Sequence, residues 1–102
     1  MPAQLAPRLR VVVADDHDSI RENLRYLLNS ESDLECVDTV KHPVRCVDIC
    51  LEIGPDVLVY TFELDACNEA SAAGVLACVA KDGPYELLLR AIRAARPQPL
   101  PV

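Results

Sequence analysis

The sequence predicts a single α/β domain built on a reduced, mostly parallel four-stranded sheet, with helices layered on both of its faces. Three observations carry this. Val11-Val12-Val13 and Val57-Leu58-Val59 are short apolar runs rich in β-branched residues, which suit strands covered on both sides. Between them lie stretches whose apolar residues recur at helical spacing, so the chain reads β-α-β-α-β with short connections, the order of a parallel sheet. The length of 102 residues allows one hydrophobic core and not two.

Taken in order, residues 1–8 carry two prolines and read as a flexible lead-in. Leu9 to Ala14 form the first strand. Asp16-His17-Asp18-Ser19 offers N-cap candidates, and Ser19 with Glu22 has capping-box spacing. Ile20, Leu24, Leu27 and Leu28 give the first helix a core face that runs to about Ser30. Leu34 to Val40 is the second strand, with Asp38 toward solvent. Pro43 opens a second helix, lined by Val44, Val47, Cys50 and Leu51 and stopped at Gly54-Pro55. Asp56 to Phe62 is the third strand. Ala66, Ala70 and Ala73 predict a short helix between Glu63 and Gly74. Val75 to Ala80 is the fourth strand, and Asp82-Gly83-Pro84 turns into a last helix with Pro84 at its first position and Leu88, Ala91, Ile92 and Ala95 on its core face. The domain thus spans 9–96, and the Pro-rich tail 97–102 reads as a frayed end.

Composition narrows the function classes. The apolar share is 51% and the longest apolar runs are far too short for a bilayer, so no membrane segment is expected. No charged start followed by an apolar stretch resembles a signal peptide, which leaves a cytoplasmic location as the expectation. The net charge of −6 argues against direct binding of nucleic acid. Arg90, Arg93 and Arg96 gather in the last helix, where cations complement the helix dipole. Five cysteines are an odd number and predict no disulfide framework. Cys46 and Cys50 share a helix face, but no CxxC spacing completes a metal site around them.

The candidate site lies at the C-terminal ends of the strands, where open α/β sheets bind ligands. Asp15 and Asp16 follow the first strand, Thr61 ends the third and Lys81 ends the fourth; right-handed crossovers bring all of these to one edge. Two adjacent carboxylates are hard oxygen ligands suited to Mg²⁺, which completes its shell with waters or further carboxylates. Lys81 can hold an anion or neutralise the acids. An ion cluster of Asp15, Asp16 and Lys81 that fixes the loops is the favoured reading, ahead of weak Mg²⁺ binding at Asp15 and Asp16.

These residues carry a resemblance. Arg10-Val11-Val12-Val13-Ala14-Asp15-Asp16-His17, Arg21-Glu22-Asn23-Leu24, Pro55-Asp56-Val57-Leu58-Val59 and Val79-Ala80-Lys81-Asp82-Gly83-Pro84, in that order, resemble the receiver domains of bacterial two-component response regulators, closest to the NarL/FixJ-like branch. The resemblance implies a flavodoxin-like (CheY-like) three-layer fold. It also implies that Asp15 and Asp16 match the family's Mg²⁺-binding acid pair and Lys81 its phosphate-contacting lysine. The phosphoacceptor aspartate of the family falls on Thr61, a poor acceptor from phosphohistidine that supplies no carboxylate to the metal. Glu63 and Asp65 are nearby, but two and four positions along. Cys78 stands at the family's aromatic switch position. Only Phe62 to Gly74 lies between the third and fourth strands, so about one βα unit, on the order of 30 residues, is missing relative to the family.

Removal of that unit either lets the last strand dock on the third, in the order 2-1-3-4, or leaves a gap that exposes an apolar strand edge. The second outcome predicts a homodimer or another protein partner, with exchange of the C-terminal strand and helix as one form; Val75, Leu76, Leu88 and Ile92 are its candidate contact residues. The functional expectation is a stand-alone, non-enzymatic atypical receiver that works by protein–protein contact without aspartate phosphorylation and needs no cofactor beyond a weakly held Mg²⁺. A small-molecule- or metal-sensing module is the alternative, and a phosphoacceptor domain using Glu63 or Asp65 the third.

Overall fold

The computed structural model describes residues 8–42, 45–60, 77–80 and 83–95. Strands β1 (Leu9–Ala14), β2 (Leu34–Val40), β3 (Val57–Tyr60) and β4 (Ala77–Ala80) form one sheet with helices α1 (Asp18–Asn29), α2 (Cys46–Ile53) and α3 (Tyr85–Ala94) around it. All three strand pairings are parallel and the order is β2-β1-β3-β4. The last strand therefore docks directly on β3. The exposed β3 edge that the gap required is absent, and with it goes the argument for partner recruitment at that edge. The predicted helix between Glu63 and Gly74, and Val75 and Leu76, lie outside the described residues.

The central strand explains the layering. Leu9, Val11 and Val13 of β1 face a core shared with Leu24 and Leu28 of α1, Val57 and Val59 of β3, and Leu88 and Ile92 of α3. Val12 and Ala14 point the other way, toward Cys46 and Cys50 of α2 and Leu58 of β3. Alternation along one fully covered strand thus separates α1 and α3 from α2. Each such Leu or Val contributes roughly 1.5–3 kcal/mol over an exposed position.

Strand β2 breaks its own alternation. Its pairing with β1 slips between Val11↔Cys36 and Val12↔Asp38, leaving Val37 as the extra residue of a bulge. Leu34 and Cys36 face the α1–α3 side, whereas Val40, of the same parity, reaches the α2 side. The bulge also holds Asp38 half-buried, where its Oδ1 accepts the Thr39 N–H at 2.8 Å; the sequence had placed it toward solvent.

Several local expectations are corrected. The N-cap of α1 is His17 in an extended conformation, with no side-chain cap bond, so the Ser19–Glu22 capping box is not formed. On α2 the inner face carries Cys46 and Cys50, while Leu51 is 64% exposed; Pro43 and Val44 lie outside the described residues. Gly54 ends α2 in the left-handed region at φ 65°, as its position predicts. Pro84 is the N-cap of α3 and not its first helical residue, so the helix starts one residue later than predicted; the Pro84 carbonyl accepts from Leu87 and Leu88. Ala91 is exposed. Leu88 and Ile92, proposed as interface residues, are buried in the chain's own core at 2% and 0% exposure, because i and i+4 on α3 face the sheet.

At the N-terminal edge of the sheet, Asp56 joins β1 to β3. Its Oδ2 accepts the Arg10 N–H at 2.9 Å and its own N–H donates to the Arg10 carbonyl at 2.8 Å. The Arg10 guanidinium in turn donates to the carbonyls of Ile53 and Gly54 at 3.0 and 2.9 Å. The aspartate of the Pro55-Asp56-Val57 motif is thus a strand-entry clamp, at the opposite edge from the acid pair.

Candidate functional site

The acid pair is split by its surroundings. Asp15 is fully buried at the end of β1, and its N–H donates to the Val40 carbonyl at 3.0 Å, which extends the β1–β2 ladder by one residue. A buried carboxylate requires hydrogen-bond donors. One is the His17 N–H, 2.6 Å from Asp15 Oδ1, in the i to i+2 pattern that short acidic side chains favour at turns. Asp16, one residue on, is exposed.

His17 links the two acids. Its Nδ1 lies 3.1 Å from Asp15 Oδ1 and 3.0 Å from Asp16 Oδ1. Among the described residues these three form the cluster of carboxylate and imidazole ligand atoms suited to a cation, all within 4.8 Å of one another. Sequence reasoning treated His17 as a helix-start residue, which it is, and missed the ring contact. Its place two residues after a strand-end aspartate was the available signal.

A basic flank adjoins the acids. Arg21 reaches back from α1 to donate to the Asp15 carbonyl at 2.9 Å and also binds Asp18 Oδ1. Lys41, after β2, stands 3.8 Å from the same Asp18 oxygen. The Arg21 hydrogen bond, then the charge of Lys41, holds the Asp18 carboxyl below its ordinary range. Thr61, Lys81, Glu63 and Asp65 lie outside the described residues, so the structure places Asp15 and Asp16 together and describes neither of their expected companions.

Cys36, Cys46 and Cys50 behave as core residues. Burial pushes the thiols of Cys36 and Cys46 up to about 11, and raises that of Cys50 as well. Such thiols are poor nucleophiles and poor metal ligands at neutral pH.

Solved structures resolve what this architecture is. The response regulator domain of Thermotoga maritima CheB superposes with a TM-score of 0.64 at 21% identity, covering 86% of this chain and 96% of that one. The signal receiver domain of NarL from Mycobacterium tuberculosis gives 0.61 at 16% identity, covering 86% and 98%. This is the receiver fold of response regulators.

Sequence relatives of the receiver agree with its fold. Protein-glutamate methylesterase/protein-glutamine glutaminase 1 of Albidiferax ferrireducens is 37% identical over 57 residues, which are 56% of this chain and 15% of that protein. Oxygen regulatory protein NreC of Staphylococcus epidermidis is 33% identical over 69 residues, 68% and 30% of the two chains. Transcriptional regulatory protein BtsR of Escherichia coli is 29% identical over 68 residues, 67% and 28%. The matched segments thus span less than a third of the length of these curated relatives. No protein-family model matches the chain. In the receiver, Asp15 sits just past the Ala14↔Tyr60 pair of the β1–β3 ladder, and Thr61 is the next residue in sequence after Tyr60. Among the described residues no helix is long and apolar enough to cross a membrane.

Proposed function

We propose that the chain is an atypical receiver, a cytoplasmic regulatory module of two-component-type signalling that acts through protein–protein contact and not through phosphorylation of an aspartate. One observation carries this reading. The acid pair follows β1 beside the β3 end, yet the residue after β3, where the family resemblance puts the phosphoacceptor, is Thr61. A threonine hydroxyl is a poor in-line acceptor from phosphohistidine, and the loss of its carboxylate leaves two acids where three would serve the metal. The module is non-enzymatic on this reading. Its partner is a second copy or another protein, and the net charge of −6 disfavours nucleic acid as the direct contact.

The same residues fit a weakly held Mg²⁺. Asp15 and Asp16 would hold it through one oxygen each, with waters filling the remaining positions; its charge would offset those of the two carboxylates. Neither acid is arranged to bind it tightly, because His17 Nδ1 lies against both Oδ1 atoms.

Incubation of the chain with a small phosphodonor and Mg²⁺, followed by intact-mass measurement, tests the reading. The expected mass is unchanged. A stable gain of one phosphoryl group overturns it and points to Glu63 or Asp65 as acceptor. Light scattering at high concentration separates a homodimer from a module that waits for a different partner.

A further inference from the structure

Beyond the acid pair, positive charge collects in the turn that follows β2 on this acidic chain. Between the end of β2 and the start of α2, Thr39, Val40, Lys41, His42, Arg45 and Ile49 line a cavity of about 180 Å³. Two permanent cations and an imidazole stand within five positions of a chain whose net charge is −6. Their grouping is not explained by the fold. The side chains of His42 and Arg45 have no hydrogen bond or ion pair among the described residues, and Lys41 makes only the 3.8 Å approach to Asp18. All three are exposed.

The geometry points to a binding site for a phosphate-class anion. Lys41 supplies a point charge, Arg45 a planar fork of N–H donors, and His42 a ring nitrogen. Arg45 is the N-cap of α2 and makes no side-chain cap bond there, so its guanidinium is not used by the helix. Asp48, in the first turn of α2, is not among the lining residues. Val40 and Ile49 make one wall apolar, which suits the carbon body of a small phosphomonoester better than inorganic phosphate alone. The cavity adjoins the acid corner through Val40 and Lys41 but has none of its carboxylates among the lining residues, and the inference does not depend on the regulatory reading of the chain.

The test is a titration of the full chain at constant ionic strength, with inorganic phosphate in one arm and phenyl phosphate in the other, read by amide chemical shifts. Saturable shifts confined to positions 39–49 are expected in at least one arm. Arg45→Ala should weaken binding about tenfold or more, because a charge-assisted bidentate contact is lost. Arg45→Lys should retain part of it, and Lys41→Ala should weaken it independently; both positions are exposed, and all three variants should leave the circular dichroism spectrum intact. Tighter binding of phenyl phosphate identifies an ester as the source, and equal binding identifies free phosphate. A non-saturating response matched by sodium chloride, or unchanged binding in both Arg45→Ala and Lys41→Ala, overturns the proposal.

Discussion

Arg93 in the last turn of α3 grips Asp33 in the turn before β2 with two parallel bonds: Nε lies 2.9 Å from Oδ2 and Nη2 lies 2.9 Å from Oδ1. The same Nη2 is 2.9 Å from Glu31 Oε1, and the Tyr85 hydroxyl donates to the other Glu31 oxygen at 3.4 Å. The residue read from sequence as a complement to the helix dipole is therefore also a tertiary clasp, tying α3 to the turn between α1 and β2. A planar fork on a carboxylate is the geometry in which a surface pair has measurable value. Arg93→Ala should lower stability by about 1 kcal/mol, and Arg93→Lys should recover part of that, since lysine keeps the charge without the fork. Urea denaturation checks this; midpoints equal to that of the parent protein would remove the clasp from the account.

His17→Ala should tighten Mg²⁺ binding several-fold. The ring lies against one oxygen of each acid, while the bond that holds the Asp15 side chain comes from the backbone N–H of the same residue and survives the substitution. Calorimetric titration with Mg²⁺ measures the change. Weaker binding in the variant would mean that the imidazole assists the cation.

Thr61→Asp isolates the acceptor from the rest of the altered architecture. If the missing carboxylate alone blocks phosphotransfer, the variant gains one phosphoryl group from a small phosphodonor in the presence of Mg²⁺, whereas the parent chain does not. That gain is the expected result, read by intact mass. An inert variant would put the block in the shortened segment between β3 and β4.

Alkaline pH should destabilise the domain through its buried thiols. Burial raises the folded-state values of Cys36 and Cys46 from 9.0 to about 11, so the unfolded chain releases these protons first. Their contribution is complete below pH 9 and is lost as pH rises toward 11, on the order of 2 kcal/mol for each thiol once both states are ionised. Tyr85, raised to about 12 by burial and then by the Glu31 charge, extends the loss upward. The urea midpoint should stay level from pH 7 to 8.5 and fall between pH 9 and 11. In a Cys36→Ala variant the fall should be shallower; an equally steep fall would assign the effect elsewhere.

Much of the fold was legible because its signals are local. Val11-Val12-Val13, the helical spacing of Leu24 and Leu28, and Gly54 at a left-handed stop each act within a few residues, and each element appears where those residues put it. The acid pair was legible for the same reason, as a polar break directly after a strand. One error was local: the Ser19–Glu22 spacing was a valid signal, but the N-cap is His17, whose N–H is bonded by Asp15 two residues back. The other errors fell where distant residues decide, as at Leu88 and Ile92, which pack on the sheet.

By itself, then, the sequence determined the αβ alternation, the parallel sheet, the strand-end placement of Asp15 and Asp16, and the threonine that stands after β3. Tertiary structure alone decided that β4 docks on β3, that Leu88 and Ile92 face inward, that a bulge at Val37 turns Val40 toward α2, and that Lys41, His42 and Arg45 surround one cavity. Periodicity assigns each residue a face of its own element. Which neighbour that face meets is set by packing between segments far apart in the chain, and no local pattern encodes that choice.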